Sequence, residues 1–306
     1  MAGESLALNV PLICPHCSGV LAREHAVYRC HNGHSFDVAR EGYANLRRTK
    51  STGDSAEMLR ARRAFLDHGY YAPLADAVCE AVAANLFGLP GTLPDAPVSP
   101  PASQAHILDC GCGEGYYLGR MQTHLAALPQ VARCRLWGLD SSRDAVRLAA
   151  RRHHDVGFVV ADCKDMVPFA TGLLAAVLSI FAPRNVAEFA RVLAPGGLWL
   201  IVIPAPNHLG ELRAALQLIS MEEHKLEHVR ESWGGLFQEV SLQTVEYALD
   251  LDAEAASLLV TMTPSHRHSS EQRLAAIRLD ERYRTTVACT VLVCRRTHAD
   301  APAMLN

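Results

Sequence analysis

The sequence predicts an α/β fold, a mostly parallel sheet covered by helices, preceded by a small metal-stapled appendage. Three observations carry this prediction. From His106 onward, short apolar runs alternate with helical segments, the pattern of a parallel sheet wrapped by helices. The first of those runs leads into a glycine turn, Asp109-Cys110-Gly111-Cys112-Gly113-Glu114-Gly115, and then into an amphipathic helix. The opening of the chain holds Cys14, Cys17, Cys30 and His34 as C-x2-C, a twelve-residue gap and C-x3-H.

The opening pattern suits zinc. A tetrahedral ion takes thiolate sulfur and imidazole nitrogen, and the knuckle Cys14-Pro15-His16-Cys17 offers two ligands from one turn, with Asn32-Gly33 supplying the second turn. Four such ligands leave no open position, so the metal holds structure and the ribbon presents a surface. The competing reading is three reduced, buried cysteines. His16 and His25 are decoys; His31, beside Cys30, rivals His34, which the spacing favours.

Net charge is only −3, which does not demand a polyanionic partner. Residues 1–63 nevertheless carry nine Lys/Arg against six Asp/Glu, a net of +3 that leaves −6 for the rest. A basic head on an acidic body can meet nucleic acid at one end, and an ordinary solvated surface has the same composition. The seven later cysteines lack the spacing of a disulfide framework, which points to a reducing compartment. With no signal peptide and no apolar run long enough to span a bilayer, a cytoplasmic protein without a membrane partner is expected.

After the ribbon, Ser55 to His68 reads as a helix with Met58, Leu59, Ala61, Phe65 and Leu66 on its apolar side. Pro73 can start a second helix running to about Phe87. Leu89 to Ala105 holds five prolines and reads as an exposed loop. Strands follow at His106–Cys110, Arg135–Leu139, Gly157–Ala161, Ala175–Phe181 and Leu198–Ile203. Two more lie around Val240–Ala248 and Thr285–Cys294, separated by a helix from Ala253 to Met262. The boundaries implied are 1–46 for the zinc-binding unit, 47–70 for a bridging helix and linker, and 71–306 for the α/β domain.

Strand, glycine turn and helix start come in the order that places a nucleotide at the carboxyl edge of a doubly wound sheet. Gly111, Gly113 and Gly115 form G-x-G-x-G, which departs from the dinucleotide fingerprint and favours S-adenosylmethionine. Asp140 ends the next strand, where a carboxylate can accept from both ribose hydroxyls, and Asp162 follows the third, in reach of an adenine amine. Asp109 lies beneath the turn and can orient it or reach the methionine ammonium. The fold expected is therefore a class I, Rossmann-like methyltransferase domain with an N-terminal zinc ribbon. Each aspartate alone is also a common helix cap.

These residues together resemble the RlmA family, bacterial 23S ribosomal RNA guanine-N1 methyltransferases, almost from end to end. The resemblance rests on the zinc pattern, on His34-Ser35-Phe36-Asp37-Val38-Ala39-Arg40-Glu41-Gly42-Tyr43-Ala44-Asn45-Leu46, and on Gly53-Asp54-Ser55-Ala56-Glu57-Met58. Ala61-Arg62-Arg63-Ala64-Phe65-Leu66, the stretch Asp109 to Tyr117, and Pro206-Asn207-His208-Leu209 complete it. It implies methyl transfer from S-adenosylmethionine to guanine N1 in a 23S rRNA hairpin near the peptide exit tunnel. It implies cofactor contacts at Tyr71, Gly113, Glu114 and His208, and a homodimer whose zinc heads help form the RNA cleft. Arg47-Arg48 departs from the apolar continuation usual after Asn45-Leu46, and the proline loop is long. Within the family, the Gly53–Leu66 stretch looks closer to the proteobacterial form.

Guanine N1 carries a proton that must leave during transfer. Phe181-Ala182-Pro183-Arg184 stands where amino-group methyltransferases place Asn/Asp-Pro-Pro-aromatic and lacks its polar first residue, which points away from exocyclic amines. Arg184 can stabilise charge on the guanine carbonyl or serve only the surface; the general base stays open. Arg47, Arg48, Lys50, Arg60, Arg62 and Arg63 are the expected RNA contacts. Tyr43 either stacks on an unpaired base or packs against the ribbon. A small-molecule methyltransferase with the ribbon as a lid, and a non-catalytic protein binding cofactor and RNA, are the alternatives.

Overall fold

The computed structural model describes residues 12–49, 53–88, 105–128, 134–216, 224–263, 274–278 and 280–297. Lys50 and nearly all of the proline-rich stretch, residues 89–104, lie outside them. The chain begins with a three-stranded antiparallel sheet, β1 (Ala22–Glu24), β2 (Val27–Arg29) and β3 (Ser35–Asp37). Then come β4 (Ala44–Asn45), α1 (Ala56–Asp67) and α2 (Ala72–Phe87).

The catalytic core alternates as expected: β5 (His106–Cys110), α3 (Tyr116–Ala126), β6 (Arg135–Asp140), α4 (Arg143–Arg152), β7 (Gly157–Val160), β8 (Leu174–Ile180), α5 (Val186–Val192) and β9 (Leu193–Pro204). It ends with α6 (Gly210–Ala215), α7 (Lys225–Glu231), β10 (Phe237–Leu251), α8 (Ala253–Met262) and β11 (Tyr283–Arg296). These strands form one eight-stranded sheet in the order β10-β11-β9-β8-β5-β6-β7-β4. Strands β4 to β9 pair parallel, and β11 and β10 close one edge antiparallel. The chain leaves β5 first toward β6 and β7 and then returns to its other side for β8 and β9. That reversal opens a crevice at the carboxyl ends of β5 and β8.

Local chemistry fixes the element ends. Ser55 caps α1 by accepting the Met58 amide at 3.1 Å, Pro73 enters the first turn of α2, and Gly88 closes it in the left-handed region. Asp252 caps α8 by accepting from Ala255 at 2.8 Å. The central strands are buried on both faces, β8 along its whole length, which is why they read as continuous apolar runs.

Two elements differ from expectation. β9 begins at Leu193, earlier than the Leu198 expected, because Pro195-Gly196-Gly197 is absorbed in a register shift against β8. Ala44 and Asn45, in the N-terminal unit by sequence, are the eighth strand of the large sheet, paired with Val159 and Val160. The Leu46 amide extends this pairing to the Val160 carbonyl at 2.9 Å. The apolar core follows the same plan. Ribbon residues Leu12, Cys14, Leu21 and Tyr28 belong to one cluster with Trp137, Phe169, Phe189 and Trp199, on one face of the sheet. The helices α1, α2, α3, α4 and α8 contribute to the other cluster. Among the described residues, no helix is long and apolar enough to cross a membrane.

Candidate active site and metal centre

The knuckles bring the side chains of Cys14, Cys17, Cys30 and His34 together, with all four ligand atoms within 4.8 Å of one another. Cys17 Sγ and Cys30 Sγ stand 3.6 Å apart, and His34 Nδ1 lies 3.5 Å from Cys14 Sγ and 3.4 Å from Cys30 Sγ. Two sulfurs each bonded at about 2.3 Å to a tetrahedral ion stand about 3.8 Å apart, so the cluster has the dimensions of a zinc cage. The backbone prepares it: a hydrogen bond from the Gly19 amide, above all, holds the Cys17 thiol down at about 6. His31 is outside the cage; a Cβ on Gly19 would meet its ring at 2.8 Å. The residues fit structural zinc.

A cavity of about 850 Å³ opens at the crevice between β5 and β8. Gly111, Gly113, Glu114, Asp140, Asp162, Tyr71 and His208, all singled out from sequence, line it together. Asp109 is buried one layer beneath the turn. Gly111 has φ 91° and a Cβ there would stand 2.5 Å from the Ala182 Cβ, so only glycine lets the turn approach the loop after β8. Asp140 holds the turn, accepting the Gly113 amide at 2.9 Å and the Ser142 amide at 2.8 Å.

The carboxylates carry unmet demand. Neither oxygen of Asp109 has a hydrogen-bond partner among the described residues, and Glu114 has at most a poorly aligned contact with the Tyr116 amide. Burial, with Asp140 and Glu114 nearby, pushes the Asp109 carboxyl up to about 8, and burial also raises Glu114. Orphaned buried acceptors are rare and call for a ligand that donates. S-adenosylmethionine, with an ammonium, ribose hydroxyls and an adenine amine, matches this set of acceptors around a glycine cradle.

On the opposite wall, His208 Nδ1 accepts the Ala288 amide at 3.2 Å, which leaves the proton on Nε2, 3.3 Å from Tyr71 Oη. Burial, assisted by Arg213, lowers His208 to about 4, so it is neutral at physiological pH. Tyr71 Oη accepts from it and keeps its own hydrogen to donate. Arg184 also lines the cavity, half-buried.

The basic residues expected at RNA divide in two. Arg48 and Arg60 are exposed, Arg48 beside Asp165 at 3.4 Å, and Arg63 lies along Asp67 at 3.7 Å. Arg47 reaches from the ribbon side to donate to the Ser141 carbonyl at 2.7 Å. Arg62 is turned inward into the cavity, paired with Asp54 at 2.7 Å and donating to the Met262 carbonyl at 3.3 Å. It stands four residues from both Met58 and Leu66, on the helix face that lines the cavity, which the helical period could have shown. Tyr43 is 3% exposed and its hydroxyl accepts from Arg143 at 3.2 Å, so it packs against the fold and cannot stack on a base. Sequence reasoning passed over Arg213, which lines the cavity five residues after His208, and Phe181 as an aromatic wall. The position of Phe181 at the carboxyl end of β8 was the available signal.

The comparisons agree with this geometry. A family model described as "RlmA, N-terminal" zinc ribbon matches residues 12–47, and a methyltransferase-domain model matches residues 107–197. The chain is 37% identical over 93% of its length, and 96% of the relative's, to a 23S rRNA (guanine(748)-N(1))-methyltransferase of Streptomyces fradiae. It is 37% identical over 87% of its length, and 90% of the relative's, to a chain of Micromonospora griseorubida assigned as a 23S rRNA (guanine-N(1)-)-methyltransferase. A Bacillus subtilis chain with the same assignment is 28% identical over 92% of this chain and 95% of its own. With a Cys3His cage, a cofactor cavity at the switch point and relatives of this identity across nearly the whole chain, the protein belongs to the RlmA-type family of 23S rRNA (guanine-N1)-methyltransferases.

Proposed function

We propose that this chain transfers the methyl group of S-adenosylmethionine to ring N1 of a guanine in 23S rRNA, in the hairpin near the peptide exit tunnel. One observation carries the reading: a ribbon that belongs to the RNA-modifying family is built into the edge of the same sheet whose carboxyl ends form the cofactor cavity. The S. fradiae relative is named for guanine 748, which makes the corresponding base the first to map.

When bound, the cofactor supplies an electrophilic methyl group on a sulfonium. Glu114 accepts from the ammonium, with Asp109 behind it; Asp140 accepts from the ribose hydroxyls and Asp162 from the adenine amine. Gly111 and Gly113 let the backbone approach closely, Gly115, expected at the cofactor, instead packs the turn against Ala149 and His153 outside the cavity wall, and Tyr71 donates its remaining hydrogen, its oxygen fixed by His208. Arg62, paired with Asp54, forms the opposing wall. Arg184 borders the target base.

The ribbon recognises RNA; of the expected divisions 1–46, 47–70 and 71–306, the first is crossed by β4, which belongs to the large sheet, and the second holds α1, which lines the cavity. Arg47, Arg48, Arg60 and Arg63 contact phosphate, and Lys50 continues the same basic segment. We read the protein as cytoplasmic and homodimeric: the edge strand β10 leaves Val240 and Leu242 exposed, an apolar strip suited to a second copy, which sedimentation tests.

The deciding experiment incubates the protein with labelled S-adenosylmethionine and 23S rRNA, or ribosomal particles, from cells lacking the modification, and maps the labelled base. N1-methylguanine in the tunnel hairpin supports the proposal. Label only on small molecules, or none, defeats it.

A further inference from the structure

The cavity wall carries charge of both signs, sorted in part at the switch point. Glu114, Asp140 and Asp162 stand with Lys164 on the β5, β6 and β7 side, Arg62 on α1 pairs with Asp54, and the cationic half holds Arg184, Arg213 and Lys225 with no carboxylate among them. The acidic half answers the donors of the cofactor. The cofactor brings a single anion, its methionine carboxylate, against three cations, so cationic groups are left over to face the other substrate.

Arg213 is the most demanding residue of that half. Its Nη2 donates to the Pro206 carbonyl at 2.7 Å, which fixes the guanidinium, while Nε and Nη1 are buried and have no hydrogen-bond partner among the described residues. A buried guanidinium edge left unpaired is costly, and a planar pair of donors suits an oxygen carrying negative charge. Because the edge is shielded from solvent, RNA phosphates, which stay at the surface, are poorly placed to reach it. The base itself must enter the cavity.

Phe181 supplies what an entering base needs. It is a non-glycine residue at φ 52°, a strained conformation that persists only where the surroundings impose it. The residue is 43% exposed and lines the cavity, its ring centroid 6.2 Å from that of Tyr71 and 6.1 Å from that of His208. An aromatic face held open beside buried polar groups is a stacking platform for an unpaired base.

We propose that Phe181 and Arg213 form the guanine subsite, the base lying on the Phe181 ring and the Nε–Nη1 edge of Arg213 holding the guanine carbonyl oxygen O6. The assignment rests on the functional reading above and makes Arg213 a catalytic residue. The N1 lone pair forms the new bond to the methyl carbon, the sulfur–methyl bond breaks with its electron pair returning to sulfur, and the N1 proton leaves to water. As that proton leaves, negative charge spreads onto O6, where a fixed cation lowers the barrier. His208, neutral and hydrogen-bonded to Tyr71, takes no part in the proton transfer. Glu114, Asp140, Asp162 and Lys164, with the Asp54–Arg62 pair, face the site from the opposite half, and Arg184 and Lys225 from its own.

The test compares wild type, Arg213→Ala, Arg213→Lys and Phe181→Leu in single-turnover methylation of the mapped RNA across pH. Binding of S-adenosylhomocysteine and of RNA is measured for each by calorimetry and filter binding. Arg213→Ala is expected to slow methyl transfer about 100-fold, the usual cost of one oxyanion donor, with both affinities unchanged. Its rate should climb with pH to a higher apparent pKa than wild type, because the cation that favours the N1 anion is gone. Arg213→Lys, which keeps charge but loses the fork, should lie between and carries the test if the alanine variant does not fold. Phe181→Leu should raise KM for RNA by a larger factor than it lowers the single-turnover rate. A drop in S-adenosylhomocysteine affinity would assign Arg213 to the cofactor carboxylate, and weaker RNA binding with a smaller salt slope would assign it to phosphate; either overturns the proposal. So does a rate loss that is equal at every pH. Wild type forming no N1-methylguanine fails the functional reading itself, a result distinguishable from active wild type with unaffected Arg213 variants.

Discussion

Asp109 shows how one buried group ties stability to ligand. Burial above all pushes its carboxyl, 1% exposed, from the free value of 3.8 up to about 8 in the fold. Between those values the folded state keeps a proton that the unfolded chain has released, so this residue makes stability fall as pH rises across that window and level off above it. Asp109→Asn should therefore raise the melting temperature of the ligand-free protein at pH 8 and leave it unchanged near pH 4; scanning calorimetry at both values checks this. An ammonium delivered to the turn reverses the bias, so S-adenosylhomocysteine binding at pH 7 should release a fraction of a proton. Calorimetry in buffers of different ionisation enthalpy reads that release, and identical heats would refute it. Asp109, Asp140 and Asp162 were legible in the sequence because each ends or follows a short apolar run, where a parallel sheet presents its ligands. Arg62 reads as a surface residue by type, while its four-residue spacing from Met58 and Leu66 puts it on the cavity side. The orphaned edge of Arg213 had no signal at all, because nothing local distinguishes a guanidinium with partners from one without.

At the scale of elements, the glycine turn is where geometry can be tested against conformation alone. Gly111 and Gly172 both have positive φ, 91° and 68°, but a Cβ on Gly111 meets Ala182 at 2.5 Å while one on Gly172 meets nothing within 4 Å. Gly172→Ala should cost only the backbone strain, ~1–3 kcal/mol, read as a shift in denaturant midpoint. Gly111→Ala should cost more and also abolish S-adenosylhomocysteine binding, since the turn must move away from the loop after β8. Equal stability of the two variants would remove the close approach from the argument. The elements that sequence foretold are those with strong local grammar: α1 with its Ser55 cap, α2 with Pro73 and Gly88, β5 and α8 at their expected ends. β4 escaped because two residues have no period to read, and its partner β7 lies more than a hundred residues later. The early start of β9 was hidden by Pro195-Gly196-Gly197, which reads as a break and is instead an irregularity inside a strand.

Across the whole molecule, the ribbon and the catalytic domain share a core and a sheet, so zinc reaches further than the four ligands that hold it. Leu12 bridges to Phe169, the Ile13 amide donates to the Pro168 carbonyl at 3.0 Å, and β4 pairs with β7, whose end leads to Asp162. Arg47 then spans from β4 to the Ser141 carbonyl, beside the carboxylate that accepts the Gly113 amide. A closed Cys3His cage supplies folding energy to its own knuckles, and its loss leaves Leu12, Leu21 and Tyr28 without a scaffold on the face they share with Trp137 and Phe169. Removal of zinc by a chelator should therefore lower the melting temperature of the whole chain, and weaken RNA binding and S-adenosylhomocysteine binding together. A ribbon tethered as an independent bead would lose RNA alone. Charge reversal at Arg48 and Arg60, both exposed, separates the two effects: it should weaken RNA binding and flatten its salt dependence, because fewer counterions are released, while cofactor affinity and melting temperature hold. If the chelated protein kept full cofactor affinity, β4 would be a passive edge strand; if it lost that affinity while the reversed-charge protein kept it, the metal sets the shape of the cavity through the sheet.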